Sequence, residues 1–250
     1  MNILLSNDDG YKSSGLKFLK NVLEEYGNVT TVAPHRDISA SSSCLSVHSP
    51  VQIKKISTKF YKIYGTPADC VHIASRGIMK KIPDIVFSGV NIGSNMGDDV
   101  IYSGTVGAAI EGRHSKYGSI AISIASKKPK YIDDLDQKLR CIIEYVFSKL
   151  IAHKAVININ IPDLPFSKIK GLKITKLGKR KLPLKASILN KDKKKYFNIG
   201  KVGKGISTVG NDFYAIEKGF ISITPLTIDM TNSDVYNLSL IHISEPTRRR

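Results

Sequence analysis

The sequence predicts an α/β fold: a Rossmann-like, mostly parallel sheet with helices on both faces, followed by a β-rich C-terminal extension. Three observations predict it. Short apolar runs such as "NILLS", "DIVFSG", "SIAISIA" and "AVININIP" read as strands buried on both faces. Between them lie stretches with helical spacing of apolar residues, the alternation expected of a parallel sheet. Beyond Pro162 the pattern changes to short strands separated by turns and lysines.

Taken in order, "NILLS" is the first strand and runs straight into Asn7-Asp8-Asp9-Gly10. Neighbouring strand side chains point to opposite faces, so two adjacent acids serve one site only if the chain turns there. Gly10 permits that turn. A helix is expected over 16–26, then the β-branched strand "NVTTVAP" (28–34), stopped by Pro34. "VQIKKIS" and "KFYKIYG" read as an alternating pair of strands joined by Ser57-Thr58. Thr66-Pro67-Ala68-Asp69 opens a helix that ends before Pro83. "DIVFSG" (84–89) is a buried strand, "VGAAIEGRHS" (106–115) a helix, and "SIAISIA" (119–125) another buried strand. The helix "DDLDQKLRCIIEYVFSKLI" precedes "AVININIP" (155–162), which closes the alternating part.

After it, "LKITKL", "KYFNIG" and "FISITPL" are strands without clear helices, consistent with hairpins projecting toward a second subunit. The chain therefore divides into an α/β core (1–162), a β-rich extension packed on it (163–231) and a tail (232–250). The tail ends "SLIHISEPTRRR", which has no amphipathic logic; roughly its last ten residues read as a read-through or cloning remnant.

At 250 residues and 42% hydrophobic, the chain can bury a substantial core. No apolar run approaches the ~20 residues of a membrane span. No basic leader or small-residue cleavage site precedes the first strand, so no signal peptide is expected. Three widely spaced cysteines without Cys-x-x-Cys suit a reducing cytoplasm and exclude a zinc-finger reading. The net charge of +17 raises the alternative of a basic RNA-binding protein without catalysis. Its distribution argues otherwise: fourteen basic residues and one acid, Asp192, lie between Lys168 and Lys204. Only Tyr196 and Phe197 interleave with the later lysines, too few for a stacking platform. Solvated surface lysine accounts for the excess.

In open parallel sheets, ligands bind at the carboxyl ends of strands. The loops that leave those ends are therefore the places to look for a site. The first strand leads into Asn7-Asp8-Asp9-Gly10, and the second into "APHRDISASSSC", dense in hydroxyls at Ser39, Ser41, Ser42 and Ser43. "DIVFSG" leads into "VNIGSNMGDDVIYSGTVGAA" (90–109), rich in amides, glycines and small hydroxyl residues. Carboxylates with hydroxyl and amide oxygens suit a hard divalent cation such as Mg²⁺ or Mn²⁺. Ser103, Gly104 and Thr105 precede a small-residue helix whose free N–H groups form a seat for phosphate. A cation and a phosphate seat on one rim suggest phosphate-ester chemistry. Asp98 and Asp99 read as a charged loop tip, and His35 as a solvated loop residue beside the site.

The stretches "ILLSNDDGY", "VAPHRDISASSSCLS", "YGTPADCV", "DIVFSGVNIGSNMGDDVIYSGTVGAAIEG" and "SITPLTIDMT" resemble the SurE family of survival proteins, metal-dependent 5′/3′-nucleotidases. The likeness runs from Met1 to about Thr231. It implies hydrolysis of nucleoside 5′- and 3′-monophosphates, with short polyphosphate as a further substrate in some members. It implies one divalent metal ion per subunit, held by Asp8, Asp9, Ser39 and Asn91. It also implies a phosphate pocket and catalytic surround of Asn95, Ser103, Gly104 and Thr105, and a homodimer or homotetramer. No membrane is implied and no nucleic acid is required. Where the family usually has Ser-Gly, Ala40 follows Ser39 here, so the local turn is expected to differ, because alanine lacks glycine's access to positive φ. A family C-terminal helix is not recognisable in the last residues.

Rival readings fit less well. A haloacid-dehalogenase-type phosphatase needs a second acid two residues after its nucleophile, and Gly10 occupies that position. A phosphoacceptor receiver domain would be much shorter. No Walker-A or Gly-x-Gly-x-x-Gly run follows the first strand.

Overall fold

The computed structural model describes residues 1–192, 194–233 and 235–237; the segment read as a cloning remnant lies outside them. β1 (Asn2–Ser6) points Ile3 and Leu5 into one core and Leu4 into another, as strand alternation requires. α1 (Ser14–Leu23) is capped by Ser13, whose Oγ accepts from Leu16 N at 3.3 Å. It stops short of the expected residue 26 because Glu25 and Tyr26 donate to Val22 and Leu23 carbonyls, three residues back, in a tightened last turn.

β2 (Asn28–Pro34) comes next, then the antiparallel pair β3 (Ile53–Ser57) and β4 (Phe60–Ile63). α2 (Pro67–Ile73) begins with a capping box between Thr66 and Asp69. β5 (Ile85–Ile92) outlasts its apolar run, because pairing with the next strand resumes at Asn91 opposite Ser123. α3 (Gly104–Glu111) starts two residues ahead of the expected 106, with Ser103 as its cap. β6 (Ser119–Ile124), α4 (Leu135–Tyr145) and β7 (Val156–Ile161) complete the alternating part.

The C-terminal half departs from expectation in one respect: it contains a helix. β8 (Leu172–Ile174), β9 (Lys179–Arg180), the exposed hairpin of β10 (Ser187–Lys191) and β11 (Lys194–Asn198), and β12 (Gly205–Ile206) lead to α5 (Asp212–Glu217). That helix is two turns long, too short for its apolar spacing to register in the sequence. β13 (Ile221–Leu226) then pairs antiparallel with β7 and parallel with β8, so both strands extend the main sheet.

The nine-stranded sheet has the order β3-β4-β2-β1-β5-β6-β7-β13-β8. From β1 the chain moves outward through β2 and β4, then returns to β5 on the other side of β1. This reversal makes the switch point where open sheets bind ligands. Leu16, Leu19 and Leu23 of α1 and Leu139 and Ile142 of α4 cover one face, against Ile3, Leu5 and Phe87. On the other face, Cys70 and Val71 of α2 and Ala108 of α3 pack on Leu4, Val32 and Val86. Cys70 is thus a small core residue. Among the described residues no helix is long and apolar enough to cross a membrane.

Candidate active site

Asn7 closes the bend after β1. Fully buried, it donates from Nδ2 to Gly10 O (3.0 Å) and to Ser13 Oγ (2.8 Å), tying the turn to the cap of α1. Gly10 has φ of 95°, and a Cβ there would lie 2.8 Å from the Arg36 carbonyl carbon. A glycine is required on both counts. The bend aims Asp8 and Asp9 at two neighbours of one place. Asp8, 4% exposed, accepts from Thr105 Oγ1 at 2.6 Å, whereas Asp9 Oδ2 accepts from Ile92 N at 3.2 Å. The first contact is with the N-terminus of α3 and the second with the end of β5.

Burial pushes both carboxyls up from the usual range. For Asp8 the Thr105 hydroxyl and main-chain N–H oppose that rise. Asp9 reaches about 6 through burial first and the charge of Asp8 second. Asp37 adds repulsion to both. Its segment is docked on the bend by Ile38 N, which donates to Asp8 O at 2.9 Å. Ser39 lies beside it, exposed, and its hydroxyl donates to Asp37 Oδ1 at 2.6 Å rather than to Asp8 or Asp9.

The next residue, Ala40, takes φ of 59°. An alanine here thus adopts a left-handed conformation that glycine takes more readily. Ser41, after it, brings a buried Oγ without a hydrogen-bond partner against α3. A Cβ added to Gly104 would lie 2.8 Å from Ser41 Oγ, 3.0 Å from Asp8 Cβ and 3.1 Å from Asp8 Oδ2. Gly104 is what lets the helix end approach the acid.

Ser103 Oγ accepts from Val106 N at 3.1 Å and so serves as the helix cap. Asn91, 8% exposed, donates from Nδ2 to Gly93 O at 2.8 Å. Asn95 donates from Nδ2 to Ser123 Oγ (2.8 Å) and to Thr105 Oγ1 (3.3 Å), which in turn donates to Asp8. Of the predicted residues, Asp8, Asn95, Gly104 and Thr105 thus meet in one contact network, with Ser103 capping the same helix end. Asp9 contacts the main chain at the end of β5, the strand that carries Asn91, and Ser39 is exposed beside Asp37.

The donor set fits a hard cation. It offers two carboxylates whose charge burial disfavours, the Asn91 side-chain carbonyl and the orphaned Ser41 hydroxyl, all oxygen. Among the described residues no three of His, Cys, Asp and Glu gather into a cluster able to hold a metal. A cation here would rest on two acids and neutral oxygens.

The C-terminal part braces the site from outside. Asp212, fully buried, accepts from Gly97 N (2.6 Å), Gly178 N (2.9 Å) and Phe213 N (2.8 Å), fixing the turn between Asn95 and Ser103. Arg180 donates its main-chain N–H to Asp98 (3.2 Å) and ion-pairs with Asp99, while its guanidinium lies 4.9 Å from the Phe213 ring. Asp98 and Asp99 are therefore anchors for the extension, not a free loop tip. His35 stacks on Tyr64 with centroids 4.5 Å apart, which corrects its reading as a solvated loop residue.

Sequence reasoning did not single out Asp37, Asp212, Arg180, Asn158 or Asn160 as site residues, and left Ser41 within a hydroxyl-rich loop. For the two asparagines the signal was present: polar residues at alternate positions of the apolar run "AVININIP".

Fold and site define a doubly wound α/β protein with an acid- and amide-lined centre at its switch point. The family model described as "Survival protein SurE" matches residues 3–183. "5'-nucleotidase SurE" of Dichelobacter nodosus (strain VCS1703A) is 39% identical over 99% of this chain and 100% of its own length. "5'/3'-nucleotidase SurE" of Wigglesworthia glossinidia brevipalpis is 43% identical over 95% of both. The crystal structure of the SurE protein from Aquifex aeolicus superposes with a TM-score of 0.84 at 36% identity, over 98% of this chain and 100% of that one. The chain belongs to the SurE family.

Proposed function

We propose that this chain is a nucleotidase that hydrolyses nucleoside 5′- and 3′-monophosphates to nucleoside and phosphate, assisted by one divalent cation. The observation that carries the reading is the Asp8–Thr105–Asn95 network, which joins a buried carboxylate to a glycine-opened helix N-terminus. Near-full-length identity to proteins named 5′-nucleotidase and 5′/3′-nucleotidase supports it.

Asp8, Asp9 and Asn91 would hold the cation, with Ser39 and Ser41 at the side where the 36–43 loop closes. When bound, a divalent cation there offsets phosphoryl charge and makes a water more acidic. Asn95 and the first N–H groups of α3 orient the phosphate and meet the charge that develops on its oxygens. Water attacks phosphorus, the bond from phosphorus to the ribose oxygen breaks, and Asp9 takes the proton that the water loses. The leaving oxygen is protonated from solvent. Short polyphosphate is a further substrate of the same site. Mg²⁺ and Mn²⁺ are the cations proposed, the cytoplasm the location, and a homodimer or homotetramer built through the 163–231 extension the assembly.

The test is phosphate release from 5′- and 3′-monophosphates and from polyphosphate, each with Mg²⁺, Mn²⁺ or EDTA. Release from AMP with Mn²⁺, its loss in EDTA and its loss in folded Asp8→Asn are expected. An Asp8→Asn enzyme that hydrolyses AMP at the parental rate overturns the site.

A further inference from the structure

β7 alternates isoleucine with asparagine, and Asn158 and Asn160 are fully buried on the same side of the strand. Both reach Asn95. Its main-chain N–H donates to Asn160 Oδ1 (2.9 Å), and its carbonyl accepts from Asn160 Nδ2 (2.8 Å) and Asn158 Nδ2 (2.8 Å). One carboxamide thus grips both polar groups of a single residue, as a neighbouring strand would, and a second reinforces the carbonyl. The held residue is the one whose side chain reaches Ser123 and Thr105, one hydrogen bond from Asp8.

Two buried carboxamides are a demanding choice in a strand otherwise built of Val and Ile. Without partners each would destabilise the fold. An aliphatic residue would fill the same space with no such risk. What an aliphatic residue cannot do is fix the direction of the Asn95 peptide, which lies in a loop outside the strands.

We infer that Asn158 and Asn160 are positioning residues that lock the Asn95 main chain, so that its carboxamide faces the reacting phosphate through the catalytic cycle. As regards what is positioned, this rests on the nucleotidase reading. The lock itself is a statement about Asn95 alone. The division of labour is specific: Asn160 holds the N–H and shares the carbonyl, whereas Asn158 touches only the carbonyl.

Two measurements test it. By NMR, hydrogen exchange at Asn95 N–H is expected to speed up about tenfold or more in Asn160→Ala and to stay within about threefold in Asn158→Ala. In phosphate release from AMP, Asn160→Ala is expected to lower kcat/KM by about tenfold or more. The same change in an Asn95→Ala background is expected to cost less than about threefold, because its effect passes through Asn95. Asn160→Leu, which keeps the core filled, repeats both measurements if Asn160→Ala does not fold. Unchanged exchange at Asn95, or losses that multiply in the double variant, overturns the inference. If the parent releases no phosphate the nucleotidase reading falls, and the exchange data still decide the lock.

Discussion

Replacing Gly104 by alanine separates stability from activity at one atom. The new Cβ would sit 2.8 Å from Ser41 Oγ, 3.0 Å from Asp8 Cβ and 3.1 Å from Asp8 Oδ2. The serine hydroxyl is the end of a side chain and can rotate away. Asp8 Cβ is fixed by the end of β1 and by the Thr105 bond at 2.6 Å, so the carboxylate or the helix end must give by a few tenths of an ångström. Alanine is the better helix former, by up to about 1 kcal/mol, which offsets much of the crowding. The net stability change is therefore within about 1 kcal/mol, a Tm shift of about 2–4 °C. Activity has no such compensation: a misplacement of about 1 Å at a reacting centre can cost about a hundredfold, so a shift of a few tenths of an ångström is expected to cost several-fold or more. Thermal melts and AMP hydrolysis with Mn²⁺ measure the two effects. Gly77→Ala is the control, since a Cβ there meets nothing within 4 Å. A Gly104→Ala enzyme with parental kcat/KM would refute the claim that the helix end and Asp8 form one site.

Ala40 sits at φ 59°, a conformation costing an L-residue about 1–2 kcal/mol, while glycine gives back part of that through unfolded-state entropy. Ala40→Gly is expected to raise Tm by about 2 °C; a fall would mean that alanine packing holds the turn. Asp9, with its pKa raised to about 6, binds a proton more readily folded than unfolded, so the metal-free protein loses stability as pH rises from about 4 to 6. Melts in EDTA should therefore show Asp9→Asn more stable than the parent above pH 6, with the gap closing near pH 4. A gap independent of pH would sink the assignment. Asp212→Ala leaves buried N–H groups of Gly97 and Gly178 unmet and is expected to cost about 3 kcal/mol, lowering Tm by about 6–12 °C. A smaller loss in urea or thermal melts would mean that water replaces the carboxylate.

Local rules carried the sequence reading a long way. Apolar runs gave the strands of the parallel core, Thr66-Pro67-Ala68-Asp69 gave the start of a helix that proves to carry a capping box, and Gly10 gave the turn in "NDDG". Each depends on residues within a few positions of one another. The short helix α5 was missed because two turns hold too few apolar residues to show a period. The entry of β13 and β8 into the main sheet depends on β13 pairing with β7 and β8 with β13, which no local pattern encodes.

The sequence by itself determined that three strand-end loops carry oxygen donors and that one precedes a glycine-opened helix. Tertiary structure alone decided which donors meet. It turned Ser39 toward Asp37, left Ser41 unpartnered beside Asp8, and brought Asn160 to Asn95 from 65 residues away. The reason is physical: strand and turn propensities act along the chain, whereas hydrogen bonding and charge repulsion act through space. Partners far apart in sequence are fixed only once the sheet order is set.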